Sequence, residues 1–398
     1  MTPAFSFGGD RANAGQSRFF PLQLDTSRYR HTFNGSAALY QAGLLAGLKA
    51  EDTVLLPAYC CGAELGPFQQ LGCKLAFYDV NEQLIAEHST IKQALDLIPD
   101  IKLVMVTHYL GLPQPHTGQI ARLCKAHNVV LLEDCAHALF CSLDGVPLGS
   151  FGDYAIFSPR KSLPMIEGGI VCSGHEIGNL PTRSFRELPR IAWLDRLCYS
   201  IQRGLRSQQV SGYDYLQTRM LIAFWALPAF AIKLIKRSTV LASNTWLSPD
   251  VEGNDAVPVY CLEPSTLSLK VLDASDAAAI ASNRRDNHAL WHSSVAGCQR
   301  IRPIRDNWPE GCCPLYFVVQ VPNPQKTVES LELLDIEAFN WWQHLPDEID
   351  WQVFPVAKRL KQSLLALPVH QQLTQDQIVR MAGYLIQIVE ADEPDSKK

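Results

Sequence analysis

Apolar positions in the first half of the chain switch repeatedly between two periods. Ser36 to Leu48 repeats at helical spacing and is opened by Asn34-Gly35. Thr53 to Leu56 is a short apolar run ending at Pro57, which predicts a buried strand. Cys60 to Leu71 returns to helix and Lys74 to Tyr78 to strand. Leu103 to Thr107 predicts strand, His116 to His127 helix and Val129 to Glu133 strand. Tyr154 to Ser158 and Gly168 to Cys172 complete the strand set. Strand and helix alternating at this spacing predict βαβ units, an α/β fold around a mostly parallel sheet with helices on both faces. Ligands in such sheets lie beyond the carboxyl ends of the strands, where Asp134 and the turn after Pro57 fall.

The alternation stops at Arg183. Arg190 to Arg206 has apolar residues at helical spacing with arginines opposite, and Met220 to Ile235 is apolar nearly all round but broken by Pro228. That run is too short and interrupted for a membrane span, which needs about 20 residues. Ser265 to Ala296 predicts one long helix, Leu315 to Val321 a strand, and Thr374 to Val389 a closing helix capped by Thr374. The division expected is a large α/β domain over 1–182, a basic helical insertion over 183–257, and a long helix with a small domain over 258–398.

Composition narrows the class. A chain of 398 residues with 47% hydrophobic and 19% charged residues buries a sizeable core and excludes a disordered chain. A net charge of −5 argues against general nucleic-acid binding. The charge is uneven: Arg183 to Arg237 holds ten Lys or Arg against three acids, about +7, which leaves about −12 elsewhere. The twelve cysteines contain no CxxC pair, and the N-terminus shows no apolar signal core. Buried thiols in a reducing, cytoplasmic compartment are expected, with no metal site.

Candidate chemistry centres on Lys161, in Phe157-Ser158-Pro159-Arg160-Lys161-Ser162 followed by Glu167-Gly168-Gly169. Upstream, an apolar strand ends in Glu133-Asp134-Cys135-Ala136-His137. A strand-end acid followed by a loop lysine is what a pyridoxal phosphate (PLP) enzyme needs. The amine bonds the cofactor aldehyde, and the carboxylate keeps the ring nitrogen protonated. Gly35, Ser36 and Ala37 open a helix whose N–H groups suit a phosphate, and Ser158 and Arg160 are further phosphate donors. Each residue alone has a plainer reading: a surface lysine, a cap acid, a structural histidine, an ordinary helix start. Their order and spacing together favour the cofactor site.

The runs FNGSAALYQAGLLAGLKAEDTVLLPAYCC, LLEDCAHALFCSLDGVPLGSFGDYAIFSPRKSLPMIEGGIV and LLALPVHQQLTQDQIVRMAGYL resemble the PLP-dependent sugar aminotransferases of the DegT and StrS family. The resemblance covers about residues 30–175 and 260–390. It implies a fold-type I PLP-dependent transferase with a smaller C-terminal α+β domain, acting as a homodimer with the site at the subunit interface. It also implies Lys161 as the Schiff-base lysine, Asp134 on the pyridine nitrogen, His137 beside the ring, and Gly35, Ser36, Ala37 and Ser158 around the phosphate. The implied reaction moves an amino group from glutamate to a keto sugar, commonly nucleotide-linked, for polysaccharide or glycoconjugate synthesis. Relatives that dehydrate sugars tend to carry histidine in place of this lysine.

Three features depart from the family pattern. Cys61 stands where an aromatic residue usually stacks on the ring. The loop from Ser158 to Lys161 is about two residues shorter, which leaves Arg160 to compensate at the phosphate. The stretch Val259 to Pro264 lacks the asparagine that reaches across the dimer. Two alternatives therefore stay open: a PLP enzyme acting on a non-sugar carbonyl or as a dehydratase, and a catalytically silent PLP-binding regulator. The basic stretch 183–237, with Trp193, Tyr199 and Trp225, is a candidate for contact with an anionic membrane or a lipid- or nucleotide-linked substrate. Its plainer reading is a dimer or domain interface.

Overall fold

The β-branched and leucine-rich runs of the first half form a seven-stranded sheet. The structure, a computed structural model, describes residues 25–184, 259–306 and 308–392. β1 (Tyr29–Thr32) leads into α1 (Gly35–Leu45), followed by β2 (Thr53–Pro57), α2 (Leu65–Gln70), β3 (Lys74–Tyr78), α3 (His88–Leu97), β4 (Ile101–Thr107), α4 (Thr117–Ala126) and β5 (Val130–Cys135). A two-residue turn of Asp144 and Gly145, both at positive φ, joins β6 (Ser142–Leu143) to β7 (Val146–Pro147). β8 (Tyr154–Phe157) and β9 (Gly169–Ser173) complete the unit.

The sheet order is β1-β9-β8-β5-β4-β2-β3. β3, β2, β4, β5 and β8 pair in parallel, whereas β9 runs antiparallel to both its neighbours. β2 and β9 are buried along their whole length, which is why they read as unbroken apolar runs rather than alternating ones.

The expected helix over Cys60 to Leu71 is shorter. Residues 60–64 form a turn in which the Cys61 N–H donates to Glu64 at 3.1 Å, and α2 starts only at Leu65. The single long helix expected over 265–296 is two helices, α5 (Thr266–Ala274) and α6 (Ala277–Val295). Each has its own cap: Ser265 accepts from the Ser268 N–H, and Asp276 from the Ala279 N–H at 3.0 Å. Two capping residues eleven positions apart split a run whose apolar spacing is otherwise continuous.

The C-terminal part has its own sheet. β10 (Arg302–Pro303), β11 (Tyr316–Gln320), α7 (Pro324–Glu332), β12 (Phe339–Asn340), α8 (Pro355–Ser363), β13 (Leu364–Pro368) and α9 (Gln375–Ala391) follow in sequence. The strands order β10-β11-β13-β12, all antiparallel. Thr374 caps α9 in a full capping box with Gln377, as its sequence suggests. Trp291, Phe317, Leu365, Ile378 and Leu385 fill one core here. Trp341, Leu360 and Leu364 join the core of the large sheet instead, so the two sheets share buried contacts.

Of the basic stretch, only Arg183 and Ser184 are described. The helices expected over 190–206 and 220–235, and the boundary expected at 257–258, lie outside the described residues. Among the described residues no helix is long and apolar enough to cross a membrane.

Candidate active site

Successive residues of a strand face opposite ways, and β5 uses this to separate two acids. Asp134 points into the site. It is buried, its Oδ1 accepts the Ala136 N–H at 2.9 Å, and Thr107 donates its hydroxyl to Oδ2 at 3.5 Å. Burial pushes its carboxyl up to about 6, and nearby Lys161 pulls the other way. An acid in that position gains most from a cation beside it.

Glu133 serves the scaffold. It accepts the Phe151 and Gly152 N–H groups, each at 2.7 Å, the Gly149 N–H at 3.0 Å, and the His108 ring at 3.1 Å. His108, Glu133 and Cys135 lie close enough together to resemble a metal centre. The carboxylate of Glu133 is already saturated by these four donors, and His108 Nδ1 accepts the Gln114 N–H at 3.0 Å. The cluster is a hydrogen-bonded brace for the loop between β7 and β8.

Lys161 ends a 3-10 turn, Pro159–Lys161, that follows β8 directly. Its amine lies 2.8 Å from His137 Nε2, which is its only hydrogen-bond partner among the described residues. Burial lowers the affinity of the amine for a proton; Cys61, Asp134 and Glu64 oppose that shift and Arg160 reinforces it. His137 is buried, and its Nδ1 accepts the Leu110 N–H at 3.4 Å. Burial draws the imidazole well below its ordinary range, with Lys161 adding to the effect.

The helix start brings the other end of the site together. The Asn34 side chain caps α1 by accepting the Ala37 N–H at 2.8 Å, and Ser36 donates its hydroxyl to Ala63 O at 3.2 Å. Of the three residues expected to hold a phosphate, Ala37 has therefore committed its N–H. The N–H groups of Gly35 and Ser36 precede any intrahelical acceptor. Gly35 packs on Ser158: a methyl group there would stand 3.6 Å from Ser158 Oγ. Among the described residues that hydroxyl is buried without a hydrogen-bond partner. A partnerless buried hydroxyl at a helix N-terminus fits an anionic oxygen. Gly169 explains the Glu-Gly-Gly run, because any side chain at 169 would collide with the Asn34 carbonyl and lift the cap away from β9.

The structure brings Lys161, Asp134, His137, Cys61, Gly35, Ser36, Ala37 and Ser158 around one region, with Arg160 in the lysine turn. Sequence reasoning missed several neighbours. Glu64 accepts both the Cys61 N–H and its thiol at 3.1 Å. Trp341 and Trp342 pack on the His137 ring at 5.4 and 5.2 Å. Lys361 is fully buried and donates to Cys60 O at 2.5 Å, His344 O at 2.8 Å and Trp342 O at 3.1 Å. The one signal for Lys361 was a cation three residues before the apolar strand β13, in the last turn of α8.

Residues 30–187 match the model of the DegT/DnrJ/EryC1/StrS aminotransferase family. The chain carries a DegT/DnrJ/EryC1/StrS aminotransferase family domain. All the site residues named from sequence lie inside that domain. Among curated proteins, this DegT-family domain resembles GDP-perosamine synthase of Vibrio cholerae, at 32% identity over 36% of this chain and 39% of that protein. It also resembles dTDP-4-dehydro-2,3,6-trideoxy-D-glucose 4-aminotransferase of Saccharopolyspora spinosa, at 29% over 41% of this chain and 42% of that protein. The matches thus span about two fifths of the length of these relatives.

Fold similarity extends further. The aminotransferase TlmJ of Streptoalloteichus hindustanus superposes with a TM-score of 0.63 at 16% identity, over 92% of this chain and 86% of that one. The PLP-form of the putative sugar aminotransferase Spr1654 of Streptococcus pneumoniae gives 0.62 at 16% identity, over 91% and 87%. The fold of the DegT-family domain is thus the fold-type I arrangement expected, a mostly parallel sheet flanked by helices with a smaller α+β unit after it.

Proposed function

We propose that the chain is a PLP-dependent aminotransferase that moves an amino group, with glutamate as donor, to a keto sugar carried on a nucleotide. The observation that carries this reading is the Lys161 amine beside His137 at 2.8 Å, with buried Asp134 on the adjacent strand β5. The partnerless Ser158 hydroxyl against Gly35 supports it from the phosphate side. So do the relatives, whose names carry GDP- and dTDP-linked sugars. A homodimer with the site at the subunit interface belongs to the same proposal and rests on the family resemblance.

The residues fit the cofactor. Lys161 would hold its aldehyde carbon, Asp134 its ring nitrogen and His137 its phenolic oxygen. Ser158, with the N–H groups of Gly35 and Ser36, would hold its phosphate. Once bound, the cofactor supplies the electron sink for a carbanion at the substrate carbon that bears nitrogen. The work of the chain is positional and acid–base. Lys161 takes the proton from Cα of the donor and returns one at the acceptor carbon, a role that burial favours by lowering its proton affinity. Asp134 keeps a proton on the ring nitrogen, since a buried carboxylate pairs best with a cation. Trp341 and Trp342 exclude water from the His137 side.

The test is the visible absorbance of the PLP-loaded protein. Addition of glutamate should remove the band of the lysine-bound cofactor, and Lys161→Ala should never develop it. A loaded protein whose spectrum no amino donor changes would overturn the reading in favour of a silent regulator.

A further inference from the structure

The loop between β4 and α4 sends two backbone N–H groups into two buried histidines. Gln114 N–H donates to His108 Nδ1 at 3.0 Å, and Leu110 N–H donates to His137 Nδ1 at 3.4 Å. A ring nitrogen that accepts cannot carry the proton, so in a neutral ring the proton sits on Nε2. His108 hands that Nε2 proton to Glu133 at 3.1 Å, an acceptor that can take it. The corresponding atom of His137 lies 2.8 Å from the Lys161 amine.

An ammonium has three donors and no lone pair. If Lys161 were charged it could only donate to Nε2, and the imidazole proton would then stand on Nδ1, facing the Leu110 N–H donor to donor. A charged imidazole fails in the same way at Nδ1, which would again face the Leu110 N–H donor to donor. Only a neutral imidazole with its proton on Nε2, donating to a neutral amine, satisfies both contacts. We infer that Leu110, through its N–H, locks His137 in this tautomer, and that His137 thereby holds Lys161 as a free base ready to attack a carbonyl. His137 is a positioning residue in this role. The inference rests on the aminotransferase reading for its use, but not for its geometry.

The donor is held firmly. Leu110 has φ of 63° and Trp342, packed on the His137 ring, has φ of 58°, both in a region that non-glycine residues rarely adopt. The Leu110 carbonyl accepts the Leu315 N–H at 2.8 Å. Gly111 follows at φ of 88°, under the Cys313 carbonyl, where any side chain would collide. Among the described residues the charged and titratable groups around the Lys161 amine are Cys61, Asp134, Glu64 and Arg160 besides His137. Burial favours the neutral amine in the same direction as the hydrogen bond. An ordinary lysine, with a pKa near 10.4, is neutral in only about one molecule in 10³ at pH 7. Here attack would require one neutral hydrogen bond to break, and no proton to leave.

The test reads the bare amine. The full chain is freed of bound carbonyl compounds by dialysis against hydroxylamine, then treated with formaldehyde and cyanoborohydride across a pH series. The Lys161 amine forms a bond to the aldehyde carbon, oxygen leaves as water, and cyanoborohydride delivers hydride to that carbon. Mass spectrometry follows the Lys161 peptide, with exposed Lys102 as internal reference. The midpoint for Lys161 should lie below that for Lys102. His137→Ala should move it up toward Lys102, with labelling at pH 7 slowed about tenfold, as loss of one hydrogen bond implies. His137→Gln should restore it to within about twofold, because its carbonyl can accept from Leu110 while its amide donates to Lys161. An unchanged midpoint in His137→Ala, or no recovery in His137→Gln, overturns the inference. So does a spectrum of nitrogen-15-enriched wild type, not treated with formaldehyde, that puts the His137 proton on Nδ1. A chain with no transaminase activity would still give the expected labelling, so failure of the functional reading is told apart from failure of this one.

Discussion

Lys361 and Lys161 each bring an amine out of water, and their surroundings differ in kind. Lys361 sends hydrogen bonds to three backbone carbonyls, of Cys60, His344 and Trp342, and lies over the rings of Tyr59 and Trp351 at 5.5 and 5.4 Å. Burial draws its proton affinity down, but three acceptor-only partners require three donors, which only the ammonium supplies. Among the described residues Lys161 has one partner, a histidine nitrogen in a ring whose other nitrogen already accepts an N–H. The first amine is fully satisfied and holds two loops together; the second keeps unused capacity and faces reactive groups. A buried lysine is thus read by counting its acceptors. Saturation marks a structural cation, and a shortage marks a nucleophile.

The widest separation between the two sites should appear on substitution by methionine. Lys161→Met should lower turnover by at least about 10²–10⁴-fold, the range for losing a proton-transfer group. Denaturant unfolding of that variant without cofactor should show stability unchanged or raised. Lys361→Met should behave the other way, losing about 3 kcal/mol or more by leaving buried carbonyls unpaired. Equal destabilisation by both substitutions would break the comparison.

Asp134 sharpens it through pH. Its folded pKa, about 6, lies above the ordinary 3.8. The bare protein binds the extra proton between those values, so this group makes the chain less stable as pH rises from about 4 through 6. The shift corresponds to a cost on the order of 3 kcal/mol at pH 7. Asp134→Asn should therefore raise the melting temperature of the cofactor-free chain at pH 7, with little change near pH 4, and should abolish turnover. The smallest effect is expected from Tyr59→Phe. It removes one hydroxyl bond to Trp341 O, 3.2 Å long, and leaves the ring under Lys361. A loss of about 1 kcal/mol by thermal melting is expected. A loss as large as that from Lys361→Met would mean that the ring contact, and not the ammonium, holds the two loops.

The large sheet was legible because its strands are buried on both faces and so stand out as apolar runs; β2, β3, β4 and β5 fall within a residue or two of expectation. Asp134 and Lys161 were legible because an acid at the end of such a run and a lysine after the next strand are close in sequence. α3 escaped because Ile91 is its only fully buried residue, too little to set a period. The break between α5 and α6 escaped because Asp276 works as a cap only through its own local geometry. Trp341, Trp342 and Lys361 come from about 200 residues downstream of the lysine loop and meet it only by tertiary packing. Leu110 gives no local sign of its left-handed backbone, which the neighbouring segment 313–315 imposes on it.

The adjacent indoles of Trp341 and Trp342 lie 5.1 Å apart at an interplanar angle of 24°, within contact of His137 and so one residue from the reactive amine. Two such chromophores at that separation share their electronic transitions. They should give a coupled signal in near-ultraviolet circular dichroism and emission that responds to any charge or ring beside them. The chain therefore carries its own optical probe beside the site. A change in that signal on occupancy of Lys161 would report the site in real time and without a label, against the constant background of the other tryptophans.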